Sequence, residues 1–333
     1  MSPTAATPAG ARAQRLGRNL MIPGLIALAL TVLGTTLSYS KYRRDLSDAR
    51  DRLARGGRLV RTSCGAIEYS DEGKGKAVLS IHGAGGGWDQ GLLIRSFMGE
   101  GSRVIAPSRF GYLNTPYPDD PSAVAQANAY ACLLDSLGIE RVSVVAFSAG
   151  GPSALQFAIR YPERTAALVM VSAISDASLV DPRPVDPSKD PVLSIMLTDF
   201  VFWTATTCFP ARALAFFGVS PAAQQRLTPE EHDRALRVLR MILPMSMRKT
   251  GNFNDPAHWF ERGAFDLEHI TAPTLVIHAT DDTFVPFAHG QHTAARIPNA
   301  RLATQEFGGH FVYVRNAVLG EIRAFIDQHG RTP

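Results

Sequence analysis

A serine stands between an apolar run and a pair of glycines in the stretch V-V-A-F-S-A-G-G, residues 144–151. The run predicts a buried strand, and the residues after it predict a helix that begins at once. A sharp strand-to-helix turn needs small residues two positions before and after its centre, as Ala146 and Gly150 are here. Ser148 is therefore a candidate nucleophile. A serine that only caps the following helix would fit the same pattern.

A glycine-rich stretch, S-I-H-G-A-G-G-G-W at residues 80–88, follows an earlier apolar run. Glycines let a backbone N–H approach a substrate oxygen closely, and the residue after a nucleophile supplies a second donor. The predicted oxyanion donors are the backbone N–H groups of Ala84 and Ala149. A phosphate-binding loop is the alternative, but the stretch lacks both the Lys-Ser/Thr ending and the G-x-G-x-x-G spacing. We expect His82 to hydrogen-bond the loop itself.

An acid and a histidine later in the chain complete the groups that nucleophilic acyl transfer needs. The stretch H-A-T-D-D-T-F-V-P, residues 278–286, follows a predicted strand, where a carboxylate can orient an imidazole. Two aspartates compete there, and we favour Asp282 over Asp281. The stretch F-G-G-H-F, residues 307–311, places His310 on a glycine-rich loop. The order serine, acid, histidine differs from the orders found in the two protease folds that use the same groups.

Short apolar runs alternate with helical patterns along the chain and provide a scaffold for these groups. The runs are R-L-V-R-T, A-I-E-Y-S, A-V-L-S-I-H, R-V-I-A-P, V-S-V-V-A-F, A-A-L-V-M-V-S and T-L-V-I-H-A. Near-continuous apolar runs are typical of strands buried on both faces. The alternation predicts an α/β fold with a mostly parallel central sheet and helices on both faces.

Between the sixth and seventh runs the sequence has helical patterns and no run that resembles a strand. One pattern begins T-P-E-E, which predicts a helix with Thr228 as N-cap and Glu231 completing a capping box. We predict a helical lid, residues 176–269, inserted between two core segments, residues 58–175 and 270–333.

The N-terminal segment carries the positive charge of the chain. Residues 1–62 contain 11 Lys/Arg and 3 Asp/Glu, so the remaining residues have 34 − 11 = 23 basic and 30 − 3 = 27 acidic side chains. The pI of about 9.1 therefore reflects that segment, and the folded part is mildly acidic. Nucleic-acid binding is disfavoured, since it would need a basic face on the folded part.

Residues 19–40 have no charged side chain and are long enough to span a bilayer as a helix. We predict a single transmembrane anchor there, after a basic tail at residues 1–18 and before a charged juxtamembrane connector at residues 41–57. A cleaved signal peptide and a peripheral helix are the alternatives. Six Lys/Arg after the span favour a cytoplasmic catalytic part, whereas the short basic tail suits its export, so the side stays open.

The cysteines and the remaining histidines predict no metal site. Cys64, Cys132 and Cys208 are odd in number and widely spaced, so we expect buried, unpaired side chains. His289 and His292 have H-x-x-H spacing but no evident third ligand.

Taken in order, these motifs resemble those of the α/β-hydrolase superfamily over residues 58–328, specifically its lidded serine esterase- and lipase-like branch. G-A-I-E-Y-S-D-E-G-K-G resembles the opening strands, I-H-G-A-G-G-G-W-D-Q the oxyanion loop and F-S-A-G-G the nucleophile elbow. T-A-P-T-L-V-I-H-A-T-D-D-T-F-V-P resembles the acid strand, and G-G-H the histidine loop.

The sequence departs from the pattern of that superfamily at four positions. Ala146 and Ala279 stand where glycine is commoner, and both are small enough to preserve the chemistry. Ser108 and Leu113 stand where aspartate and glycine are frequent, in a loop that often borders the site. A serine at 148 also argues against the dehalogenases and epoxide hydrolases of the superfamily, whose nucleophile is an aspartate.

The resemblance implies a serine hydrolase that cleaves a carboxylic ester through an acyl-enzyme. The predicted anchor and apolar lid add the expectation that the enzyme is attached to a membrane and that the ester is lipophilic. We expect a small-molecule or lipid-like ester as substrate, no cofactor and no nucleic-acid partner. The oligomeric state stays open. A C–C bond hydrolase or an acyltransferase with the same triad is one alternative, and a non-catalytic ligand-binding homologue is another. The side chains expected to line the substrate pocket are Trp88, Phe147, Phe202 and Trp203, although ordinary packing would also explain them.

Overall fold

The computed structural model describes residues 8–179, 191–259 and 265–330, with side chains from residue 25 onward except 177, 192–193 and 256–259. The chain divides into two units, one ending at Asp48 and the other beginning at Ala49.

The first unit consists of the N-terminal part of helix α1, which extends from Pro8 to Gly56. Its large aliphatic side chains between Leu25 and Leu37 are more than half exposed. Within the described part of the chain, no helix has both the length and the apolar character needed to cross a membrane. The side chains of residues 19–24, where the predicted anchor begins, lie outside that part.

The second unit is built on one eight-stranded sheet with the order β1-β2-β4-β3-β5-β6-β7-β8. The strands are β1 Arg58–Thr62, β2 Gly65–Gly73, β3 Lys76–Ile81, β4 Ser102–Pro107, β5 Val142–Phe147, β6 Thr165–Val171, β7 Thr274–Ala279 and β8 Ala300–Gln305. β2 pairs antiparallel with β1 and β4, and every other pairing is parallel. The predicted mostly parallel sheet is confirmed.

Twelve further α-helices follow α1 in the described residues. They are α2 Trp88–Gly91, α3 Arg95–Met98, α4 Ala123–Ser136, α5 Gly151–Arg160, α6 Pro191–Met196, α7 Asp199–Cys208, α8 Pro210–Phe216, α9 Pro221–Arg226, α10 Pro229–Met241, α11 Lys249–Trp259, α12 Ala288–Arg296 and α13 Asn316–His329.

The core lies on both faces of the sheet because successive strand side chains point in opposite directions. In β5, Val144 packs in a cluster with residues of α4 and α5. Its neighbour Val145 packs in a second cluster with residues of α3 and α13. Both clusters are buried, which explains why the central strands carry apolar residues on both faces rather than only at alternate positions.

The sequence did not predict the edge strand β8. Its sequence A-R-L-A-T-Q has only three apolar residues in six, and its residues are half-buried or exposed. A strand covered on one side only needs no continuous apolar run, so the signal that identified the central strands is missing there.

The expectation of three unpaired, buried cysteines is wrong. Cys64, in the turn between β1 and β2, forms a disulfide with Cys132 of α4, and their Cα atoms lie 6.0 Å apart. Cys208 is free but exposed. A separation of 68 residues hid the pair, because only the fold brings the β1–β2 turn against α4.

Helices α6–α11 lie between β6 and β7, in the interval where the sequence predicted a helical insertion. The capping box of α10 is confirmed: Glu231 N donates to Thr228 Oγ1, and Thr228 N donates to Glu231 Oε2 at 3.0 Å. Residues 180–190 and 260–264 of the predicted lid lie outside the described residues.

Candidate active site

Ser148 stands on the turn that joins β5 to α5. Its φ is +51°, a left-handed conformation that costs a non-glycine residue on the order of 1–3 kcal/mol. A Cβ at Gly150 would lie only 2.8 Å from the carbonyl oxygen of His82, so no larger residue fits this position without a shift of the backbone. No side chain caps the N-terminus of α5, so Ser148 does not serve as its N-cap.

The structure brings Ser148, His310 and Asp282 into one hydrogen-bonded chain. His310 Nε2 lies 2.9 Å from Ser148 Oγ, and His310 Nδ1 lies 2.9 Å from Asp282 Oδ2. An ionised carboxylate only accepts hydrogen bonds, so Nδ1 carries the imidazole proton. Nε2 is then free to accept the proton of the serine hydroxyl, as a general base does.

Asp282 is held in its ionised form. Burial alone would raise its pKa, but the charge of His310 and hydrogen bonds from His278, His310 and the Val285 amide together lower it well below the usual range. Asp282 Oδ1 accepts from the N–H groups of Phe284 and Val285, each at 2.9 Å. The carboxylate is therefore fixed on one side and presents its other oxygen to the imidazole.

Asp281, the rejected neighbour, has a different place in the structure. Its carboxylate accepts from Gly309 N at 2.8 Å and from Gly308 N at 3.4 Å, so it holds the loop that carries His310. His310 N also donates to the carbonyl of Gly218, at 3.2 Å. No pattern in the sequence distinguished an acid that orients the imidazole from an acid that orients its loop.

The glycine-rich loop after β3 approaches the serine closely. A Cβ at Gly83 would lie 2.9 Å from Ser148 Cβ, so only glycine allows the loop to come this near. Among the described residues, the amides of Ala84 and Ala149, the predicted oxyanion donors, have no hydrogen-bond acceptor. Both are therefore available to a substrate oxygen.

His82 at the start of the loop hydrogen-bonds within the protein, as expected. Its Nδ1 lies 2.7 Å from the carbonyl oxygen of Gly83, and its Nε2 accepts from Arg109 N at 2.9 Å. Burial, followed by the charges of Arg109 and Arg248, lowers its pKa well below the usual value. His82 is thus a neutral support for the loop.

A cavity of about 350 Å³ opens over Ser148 and His310. Its walls are mostly apolar, and among the described lining residues none is a lysine or an arginine. The lining residues are Gly83, Ala84, Gly85, Gln90, Phe147, Ser148, Leu197, Phe216, Phe217, Ile242, Met245, Asn252, Phe284, His310, Phe311 and Tyr313. The insertion supplies six of these residues, from Leu197 to Asn252.

Of the four side chains predicted to line the substrate pocket, Phe147 lies in the wall of this cavity, and the other three are not among its lining residues. Trp88 packs instead with Leu53 and Ala106. Phe202 and Trp203 are buried within the insertion. Phe216 and Phe217 line the cavity in their place. Helical spacing alone does not tell which aromatic face of an insertion turns towards the site.

Comparison with known proteins agrees with this architecture. The family model described as the alpha/beta hydrolase fold matches residues 76–317. A 2-hydroxy-6-oxo-6-phenylhexa-2,4-dienoate hydrolase of Burkholderia cepacia is 30% identical over 272 residues, 75% of this chain and 87% of that protein. An uncharacterized hydrolase of Bacillus subtilis is 28% identical over 258 residues, 75% of this chain and 90% of that protein.

A similar structure has also been solved. An alpha/beta hydrolase fold protein from Nakamurella multipartita matches with a TM-score of 0.65 and 28% identity, covering 81% of this chain and 96% of that one. The match to the family model spans well over half of the chain, and its ends enclose all three residues of the hydrogen-bonded chain. The chain therefore belongs to the α/β-hydrolase family.

Proposed function

We propose that this protein is a serine hydrolase that cleaves carboxylic esters. The observation that carries the proposal is the hydrogen-bonded chain Ser148–His310–Asp282, which opens into an uncharged, mostly apolar cavity. A hydroxyl is a weak nucleophile until an adjacent base accepts its proton, and this arrangement supplies the base together with the group that orients it.

The proposed reaction follows from these contacts. His310 Nε2 accepts the proton of Ser148 as its Oγ attacks the ester carbonyl, and the N–H groups of Ala84 and Ala149 stabilise the negative charge that develops on the oxygen. The protonated imidazole then gives its proton to the departing alkoxide, which leaves an acyl-enzyme. A water that loses its proton to His310 attacks the acyl group, and His310 returns that proton to Ser148 Oγ as the acid leaves.

A C–C bond hydrolase with the same triad is the second candidate, favoured by the Burkholderia cepacia relative. The substrate named for that relative is a dienoate, which carries a carboxylate. A buried carboxylate needs a cation or several hydrogen-bond donors to offset the loss of its hydration. The described lining of this cavity includes the neutral polar residues Gln90, Asn252 and Tyr313 but no lysine or arginine, and the missing cation supports a neutral ester over an anionic dienoate.

We also propose that the insertion acts as a lid. This proposal is supported by the residues that the insertion contributes to the cavity wall, including Phe216, Phe217, Ile242 and Met245. A roof of apolar side chains excludes water from the oxyanion and strengthens its hydrogen bonds.

We further propose that residues 19–40 attach the protein to a membrane and that the catalytic unit lies in an oxidising compartment. The exposed aliphatic side chains from Leu25 to Leu37 support attachment, since such a surface is unfavourable in water. The Cys64–Cys132 disulfide supports the compartment, because such bonds persist outside the reducing cytosol. Fractionation of cells expressing the full chain or a chain lacking residues 1–40 tests attachment, and alkylation of free thiols before lysis tests the compartment.

The reaction is tested with two substrates given to the same purified protein. We expect a neutral aryl butanoate to be hydrolysed and a 2-hydroxy-6-oxo-dienoate to be cleaved at least about 100-fold more slowly, as buried-charge costs imply. Ser148→Ala should abolish both activities. Preferential cleavage of the dienoate would replace the ester proposal with the C–C one.

A further inference from the structure

The glycine-rich loop at residues 83–87 has few means of fixing its own shape. It contains four glycines and one alanine, so no side chain of the loop beyond a methyl group can pack or hydrogen-bond. The hydrogen bond from Gly86 N to the carbonyl of Gly83, at 3.3 Å, is long. An oxyanion donor must nevertheless be held within a few tenths of an ångström of its working position.

The insertion supplies one of the missing contacts through Asn252 of α11. Asn252 Oδ1 accepts from Gly85 N at 2.7 Å, next to the proposed donor Ala84. The same oxygen lies 3.1 Å from the hydroxyl of Tyr112. Asn252 also lines the catalytic cavity. The insertion thus contacts the backbone of the loop itself, in addition to covering the cavity.

Tyr112, the neighbour of Asn252, is held by a buried charged pair. The hydroxyl of Tyr112 lies 2.5 Å from Asp255 Oδ2, and both terminal nitrogens of Arg109 donate to Asp255, at 2.6 and 2.9 Å. Arg109 and Asp255 are almost fully buried. Because a bidentate pair has a fixed geometry, it orients Tyr112, which shares its one hydroxyl hydrogen between Asp255 Oδ2 and, over the longer distance, Asn252 Oδ1.

Arg248, one helical turn before Asn252, holds the next residue of the loop. Its guanidinium donates to the carbonyl of Gly86 and to both oxygens of Asp89, at 3.1 and 2.8 Å. Its side chain is fully buried. Two side chains of the insertion therefore bind two consecutive residues of the loop, one through its N–H and the other through its C=O.

We propose that Asn252 and Arg248 are positioning residues that hold the oxyanion loop in its working shape. The inference rests on the proposed function, since the position of the Ala84 amide affects rate only if Ser148 forms a tetrahedral adduct. Without Asn252 the Gly85 N–H loses its acceptor, and the peptide between Ala84 and Gly85, which follows the Ala84 N–H along the chain, is held less firmly. Substrate binding in the cavity needs no such alignment, so the loss falls on the transition state.

The test compares Asn252→Ala, Tyr112→Phe and Asn254→Ala. Asn254 lies two residues along the same helix and accepts from Tyr117, at 2.6 Å, so it is a matched control away from the loop. We expect Asn252→Ala to lower kcat on an aryl butanoate by about 10–100-fold, below the loss that removal of a whole oxyanion donor causes. KM should stay within about twofold, and the affinity for a trifluoromethyl ketone should fall with kcat.

The other variants separate this role from a structural one. Tyr112→Phe keeps the ring and should lower kcat about 3–10-fold at constant KM, and its effect should not add to that of Asn252→Ala, because both act on one contact. Asn254→Ala should keep wild-type kcat. A folded Asn252→Ala with unchanged kcat, or a change in KM alone, would overturn the inference. If Asn252→Ala does not fold, unchanged kcat in Tyr112→Phe overturns it instead. A wild type that forms no covalent adduct with a fluorophosphonate would overturn the proposed function, and this inference with it.

Discussion

His310 Nε2 lies 2.9 Å from Ser148 Oγ, although the two residues are 162 positions apart in the sequence. Each partner is fixed from its own side. The strained turn after β5 presents the hydroxyl, while Asp282 orients the imidazole and Asp281 holds the loop beneath it. The contact therefore depends on several groups at this edge of the sheet, and each of them can be substituted separately.

Substitution of the two adjacent aspartates should have very different effects on rate. Asp282→Asn presents an amide to His310 Nδ1 and favours the wrong tautomer, so we expect kcat to fall on the order of 10⁴-fold. Asp281→Asn keeps an oxygen that can accept from Gly309 N, so its kcat should fall less than about tenfold. Steady-state hydrolysis of an aryl butanoate measures both. Equal losses in the two variants would mean that the pairing with His310 has no special role.

The uncharged cavity predicts discrimination against anionic esters. A half-ester of succinate differs from a butanoate ester by a terminal carboxylate, which would lose its hydration among Phe216, Phe217 and Met245. We expect kcat/KM for the half-ester to be at least about 100-fold lower, equivalent to about 3 kcal/mol. A comparable kcat/KM for both substrates would show that a cation outside the described lining reaches the substrate.

Two predictions follow from the disulfide, one on the number of free thiols and one on the free energy of unfolding. With three cysteines and one bridge, the unreduced, denatured protein should titrate 3 − 2 = 1 thiol, that of Cys208. Replacing Cys64 and Cys132 by serine should lower the free energy of unfolding by about 2–4 kcal/mol in urea, since the bridge closes a long loop. Cys208→Ser is the matched control and should change it by less than about 0.5 kcal/mol. Three titratable thiols would contradict the pairing.

Stability should fall on mild acidification because His289 is buried. Burial, then the charge of His278, lowers the pKa of His289 to about 4, against about 6.5 in the unfolded chain. Between these pH values the unfolded state therefore binds more protons than the folded state. The contribution of neutral His289 to the free energy of unfolding is complete above about pH 6.5. It is lost as the pH falls towards 4, which lowers the free energy of unfolding by about 3 kcal/mol. The lowered pKa of His82 acts in the same direction.

Urea unfolding at several pH values between about 7.5 and 4.5 measures this loss. In the wild type, Ser175 N donates to His289 Nδ1 at 3.2 Å. The asparagine of a His289→Asn variant keeps an acceptor for this N–H but cannot be protonated in this pH range. The variant should show a shallower pH dependence than the wild type. The low pKa of Asp282 does not interfere, because its stabilising contribution disappears only as the pH falls below about 4. Identical slopes would exclude His289 as the source.

The sequence could predict the sheet and the groups at its edge for a simple reason. Central parallel strands are buried on both faces, so their sequences are nearly continuous apolar runs. The residues that follow these strands meet at one edge of the sheet. Ser148 and Asp282 each follow such a run, and His310 stands on a loop marked by glycines. Local sequence is enough to find groups of this kind.

Contacts that depend on packing between distant segments could not be predicted in the same way. Asn252 and Arg248 reach the oxyanion loop from more than 160 residues away, and nothing near them in sequence marks that contact. Trp88, expected at the substrate, packs with Leu53 and Ala106 in the core, and Leu53 lies 35 positions before it in the sequence. The Cys64–Cys132 bond was hidden for the same reason.

The most direct test of the account is covalent labelling of the purified protein with a fluorophosphonate, with the modified peptide identified by mass spectrometry. We expect one adduct on Ser148 in the wild type, none in Ser148→Ala, and labelling slowed at least about 100-fold in His310→Ala because the hydroxyl then lacks its base. An adduct on a different residue, or a folded wild type that stays unlabelled, would contradict the assignment of Ser148 as an activated nucleophile.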